Sequence, residues 1–106
     1  MTKNAKHAPR KKRNAVTLAF HPNDPSLQKT VLGHVAAGAS EVVLELDHLE
    51  ALDVPALRVL IALLRRTREA GGTLALRTAK PHIRRTLAVT ALDRLFAVRS
   101  SAEAAA

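Results

Sequence analysis

Apolar positions along this chain switch between two periods, and the switches mark its elements. Val16, Leu18 and Phe20 alternate with Ala15, Thr17 and Ala19, the period-two pattern of a strand with one buried face. His21-Pro22-Asn23-Asp24-Pro25 interrupts it, because proline removes backbone donors and Asn and Asp favour turns. Leu27, Val31, Leu32 and Val35 fall at helical spacing, which predicts a helix over 26–37 ended by Gly38. Positions 41–46, EVVLEL, read as the central strand, apolar on both faces except at Glu45. Asp53 is a strong helix N-cap and Pro55 suits a first turn, where a missing N–H costs nothing. Ala56, Leu57, Leu60, Ile61, Leu63 and Leu64 give that helix its apolar face, and Gly71-Gly72 stop it. Positions 73–77 form the next strand, with Leu74 and Leu76 on one face. Pro81 opens a helix expected to carry Ile83, Leu87 and Ala91 toward the core. Positions 95–98 are expected to form a short last strand or an extended docking segment. The alternation β-α-β-α-β-α-β argues for an α/β fold with a mainly parallel or mixed sheet and right-handed crossovers.

Composition narrows the classes. The chain has 106 residues, enough for one domain with ends to spare. It has no Cys, which removes disulfides, thiolate metal sites and thiol nucleophiles. Its longest uninterrupted apolar run, 59–64, is far short of the ~20 residues that span a bilayer. No apolar stretch follows the basic start as a secretory signal would require, so a cytoplasmic location is expected. The formal net charge of +8 suggests an anionic partner until it is mapped. Positions 1–14 carry Lys3, Lys6, Arg10, Lys11, Lys12 and Arg13 with no acid, so most of the excess belongs to this segment. We read 1–14 as a disordered basic tail, 15–99 as the folded domain and 100–106 as a flexible end. Arg10, Lys11, Lys12 and Arg13 are then candidates for nucleic-acid or anionic-surface binding by counterion release.

Catalytic signatures are absent from the pattern. None of the four glycines stands in a phosphate-cradling motif. The five histidines, His7, His21, His34, His48 and His82, lack the i, i+4 spacing of a helical metal site, so neither cofactor nor metal is expected. Glu45, Asp47, Glu50 and Asp53 cluster after the central strand, where α/β folds place their sites. The plainer expectation is that Asp53 caps a helix while Asp47 and Glu50 are solvated connectors. Arg65, Arg66, Arg68, Arg84 and Arg85 could form a phosphate-contacting patch, but the plainer expectation is solvated helix faces.

From position 42 the order of motifs resembles the STAS domain family, which includes bacterial anti-sigma-factor antagonists. That family usually reads V-V-L-D-L-S-G-V and, a few residues on, D-S-S-G-L at a helix start. Here the register gives Val42-Val43-Leu44-Glu45-Leu46-Asp47-His48-Leu49, then Asp53-Val54-Pro55-Ala56-Leu57. Arg65-Arg66-Thr67-Arg68-Glu69-Ala70-Gly71-Gly72 continues the likeness. Pro81-His82-Ile83-Arg84-Arg85-Thr86-Leu87 resembles the family's third helix, and Ala91-Leu92-Asp93-Arg94-Leu95-Phe96 its G-L-D-R-L-F ending. The resemblance implies a small sheet with helices packed mainly on one face.

The departures bear on function. In the antagonists the serine after the motif aspartate is phosphorylated by a partner kinase. Val54 stands there, Pro55 replaces the next serine and Ala56 the glycine. Phosphorylation acts by adding about two negative charges, and no hydroxyl here receives them. The resemblance thus implies a non-enzymatic docking surface at Asp53, Val54, Pro55, Ala56 and Leu57 for an anti-sigma factor or histidine-kinase-like ATPase protein. An exposed sheet edge leaves homodimer formation open. Some STAS modules are accessory subunits of phospholipid-transport ABC systems, an alternative role.

Overall fold

A computed structural model describes residues 15–99. The elements are β1 (Ala15–Ala19), α1 (Leu27–Ala36), β2 (Glu41–Glu45), α2 (Val54–Glu69), β3 (Leu74–Arg77), α3 (Pro81–Val89), a 3-10 turn (Leu92–Arg94) and β4 (Ala97–Arg99). The described strands form one sheet in the order β1-β2-β3-β4, with every pair parallel. Each crossover steps to the next strand in the same direction. Right-handed crossovers repeated in one direction put every helix on the same face of the sheet.

That face holds the core. Register aligns Val42 with Leu74 and Leu44 with Leu76, and these side chains pack with Phe20, Leu46, Leu60, Ile83 and Leu87 in one cluster. All of them are buried, and each fully buried aliphatic of this size stabilises the fold by about 1.5–3 kcal/mol. The opposite face carries Thr17, Val43, Ala75 and Ala97 in one register row, and Ala19, Glu45, Arg77 and Arg99 in the next. Arg99 spans this face to Glu41, with Nη1 2.7 Å from Oε1 and Nη2 2.8 Å from Oε2.

The helix ends follow their sequence signals except at one place. Asp53 Oδ1 accepts from the Ala56 amide at 2.9 Å, Pro55 lies in the first turn, and Gly38 and Gly71 supply φ of 104° and 87° after α1 and α2. The expected inward position of Ala91 is incorrect. α3 closes at Val89, and Ala91 is exposed at φ 63° in the left-handed region, where the chain turns into the 3-10 segment. The last strand likewise begins at Ala97, later than expected, and leaves Leu95 on the surface. No helix among the described residues is long and apolar enough to cross a membrane.

Candidate partner-docking site

In a parallel sheet all strand-to-helix loops emerge at one end, the carboxyl end of the strands. Three meet here: 20–26, 46–53 and 78–80. The middle one delivers Asp53, and both neighbours hold it. On one side, Phe20 N donates to the Glu45 carbonyl at 3.0 Å, and the Phe20 carbonyl lies 2.6 Å from His48 Nε2. A carbonyl only accepts, so Nε2 donates this bond, and the other ring nitrogen, Nδ1, lies 3.7 Å from Glu45 Oε1. The His21 ring packs on His48 at a centroid distance of 4.6 Å.

On the other side, Asp47 Oδ1 accepts from the Thr78 hydroxyl at 2.8 Å and from the Ala79 amide at 2.7 Å. Lys80 Nζ donates to the Leu49 carbonyl at 2.7 Å, and His82 Nε2 donates to the Glu50 carbonyl. Asp47 is therefore a tie between two loops. The expectation of a solvated connector is incorrect, because the carboxylate satisfies a buried hydroxyl and a loop amide. In the 20–26 loop, Asp24 is bound by the Ser26 amide and hydroxyl, at 2.9 and 2.8 Å, and these bonds hold its carboxyl below its ordinary pKa.

The strapped loop ends in a surface step. Asp53, Val54 and Pro55 are exposed, Val54 at 59%. Leu57 is half-buried against the core, whereas Ala56 is 2% exposed and points into it. Ala56 thus supports the step without offering a contact surface, and the sequence-based set is brought together only in part. Arg10, Lys11, Lys12 and Arg13 lie outside the described residues. The α2 N-terminus is also poorly equipped for a phosphoryl group: Pro55 has no N–H, and Asp53 occupies that of Ala56. Among the described residues, no group of three or more His, Asp or Glu side chains is arranged to hold a metal ion.

Sequence reasoning missed Asp47, His48, Lys80 and His82 as the residues that position this loop. Their partners lie 28 to 32 residues away along the chain, so no local spacing announces them.

Comparison with known proteins agrees with this geometry. A family model described as "Mlab, STAS domain" matches residues 15–98. A protein of Bordetella bronchiseptica named "Putative anti-sigma factor antagonist BtrV" is 32% identical over 84 residues, covering 79% of this chain and 72% of that one. The NMR structure of the protein TM1081 superposes with a TM-score of 0.68 at 26% identity, over 86% of this chain and 78% of that chain. A crystal structure of TM1081 of Thermotoga maritima, described as that of a putative anti-sigma factor antagonist, gives 0.60 at 26% identity, over 81% and 73%. With its parallel sheet, one-sided helices and capped second helix, the chain belongs to the STAS domain family and is of the anti-sigma-factor-antagonist-like kind.

Proposed function

We propose that this chain is a non-enzymatic regulatory docking module that binds a histidine-kinase-like anti-sigma ATPase protein and is not switched by phosphorylation at the start of α2. The relative's name supports the class of partner. The observation that carries the reading is the exposed Asp53-Val54-Pro55 step, held by loops on both sides and lacking a hydroxyl at 54 and 55. A pre-ordered apolar step costs little conformational entropy on binding, and Pro55 adds stiffness. Val54 is the contact anchor, Leu57 its half-buried neighbour and Asp53 the cap that fixes both.

Titration against a recombinant anti-sigma kinase of the histidine-kinase-like ATPase class from the same organism tests the reading. Val54→Asp places a charge on the step without touching the core and should weaken binding at least tenfold; Leu57→Glu should do the same. Mass spectrometry after incubation with kinase and ATP should find the 53–57 peptide unmodified. Absence of binding, or binding indifferent to both substitutions, would refute the proposal. Association instead with the ATPase of a phospholipid-transport ABC system would assign the accessory-subunit role. The basic segment supports a separable activity, nucleic-acid or anionic-surface binding through Arg10, Lys11, Lys12 and Arg13. It should fall steeply with salt and vanish when 1–14 are deleted.

A further inference from the structure

The outer flank of α2 carries more than a solvated helix face should. Val54, Leu57 and Ile61 stand at i, i+3 and i+7, so they lie within an arc of about 60° on the helix. Val54 and Ile61 are exposed, at 59% and 39%. The core-facing positions Ala56, Leu60, Leu63, Leu64 and Thr67 form a separate, buried stripe. α2 therefore has two apolar lines: one is buried, and the other is exposed at Val54 and Ile61 and half-buried at Leu57. Past the helix, Arg68, seven residues beyond Ile61 and so on the same line, donates from Nη2 to the Leu95 carbonyl at 3.1 Å, and Leu95 is 44% exposed.

Beside this ridge stand Arg58 and Arg65, again seven apart and hence on one line. Both are exposed, and neither guanidinium has an ion-pair partner among the described residues. Glu69, one turn beyond Arg65, is not paired with it. Exposed apolar side chains flanked by cations without an ion-pair partner among the described residues match an amphipathic helix bearing carboxylates next to its apolar face. The span from 54 to 65 is about 16 Å, or three helical turns.

Resting on the docking reading above and extending it, we propose that the ridge Val54-Leu57-Ile61, continued by Leu95 and flanked by Arg58 and Arg65, receives an acidic amphipathic helix of the partner protein. The apolar ridge supplies contact area, and the two arginines set its register and polarity.

Two probes test this. The first is a pair of synthetic 15-residue amphipathic peptides with the same leucines, one bearing Glu and one Lys at the flanking positions, titrated into the full chain and followed by amide NMR shifts. The Glu peptide should shift amides along 54–65 and at Leu95, and the Lys peptide should not. Arg58→Glu with Arg65→Glu, a change confined to exposed unpaired side chains, should reverse the preference. Ile61→Ser should weaken binding of the Glu peptide at least fivefold. Shifts on another face, equal binding of both peptides, or an unreversed preference would each overturn the proposal. The second probe is the anti-sigma kinase. A tenfold loss with the charge-reversed pair supports the ridge. Loss with Val54→Asp but none with the pair overturns the ridge and leaves the docking step intact. If the kinase does not bind at all, the docking reading fails and the peptide arm alone decides the ridge.

Discussion

Replacing Asp47 by alanine should loosen the loop that delivers the docking step. One carboxylate oxygen accepts two bonds, 2.8 Å from the Thr78 hydroxyl and 2.7 Å from the Ala79 amide. Hydrogen bonds to a charged group contribute about 1.5–3 kcal/mol each, before solvent screening. Asp47 is half-buried, so the pair together should be worth about 2–3 kcal/mol rather than the sum of the upper values. Thr78 is fully buried and keeps one bond, from the Lys80 amide at 3.1 Å to its hydroxyl oxygen, which limits the further loss. For a domain of this size the change corresponds to a fall in Tm of roughly 8–24 °C. Asp47→Asn retains a carbonyl oxygen but not the charge, and should cost about 1 kcal/mol. Urea denaturation followed by circular dichroism measures both, and an Asp47→Ala/Thr78→Val double-mutant cycle isolates the coupling. An Asp47→Ala loss below about 0.5 kcal/mol, or Asn no better than Ala, would refute the reasoning.

Other substitutions test other parts of the account. Ala91 occupies the left-handed region at φ 63°, which costs an alanine about 1–2 kcal/mol; glycine removes this but raises unfolded-state entropy, so Ala91→Gly should stabilise by about 0.5–1 kcal/mol in urea melts. Two further glycines predict opposite signs. A Cβ on Gly33 meets nothing within 4 Å and Gly33→Ala should stabilise α1 by about 0.5–1 kcal/mol, whereas at Gly72 it would lie 2.7 Å from Val35 Cγ2, and Gly72→Ala should cost about 1–3 kcal/mol. Asp24 should titrate below an ordinary aspartate in carboxyl-carbon NMR, and Ser26→Ala should raise its pKa by removing the hydroxyl donor. Because its folded pKa is lowered, its contribution to stability is present above the unfolded value and is lost as pH falls through the folded one.

Elements with strong local signals were legible without coordinates. The alternation of Val16, Leu18 and Phe20, the Asp53 cap with Pro55, and Gly38 and Gly71 after helices all act within a few residues of their effect. Even the one-sided packing follows from topology once the strands are taken in sequential order. Ala91 was misread because helical periodicity carries on arithmetically past Val89, and nothing in Thr90-Ala91 announces a left-handed residue. Only the resemblance hints at it, since Ala91 stands where the family ending has glycine. Asp47 was misread for a different reason: its partner Thr78 is distant in sequence, and only the parallel register of β2 and β3 brings their following loops together. Within the candidate site, Val54 and Pro55 were placed correctly at the surface. Ala56 was read both as part of the apolar helix face and as part of the contact set, and its burial agrees with the first.

The most direct test of the central claim is the affinity of this chain for the anti-sigma kinase, measured by calorimetry before and after incubation of the two proteins with ATP and magnesium. The account predicts binding in both conditions, with Kd unchanged, no phosphate on residues 53–57, and at least a tenfold loss for Val54→Asp in each. Binding that disappears after ATP treatment, or that Val54→Asp leaves unchanged, would contradict it.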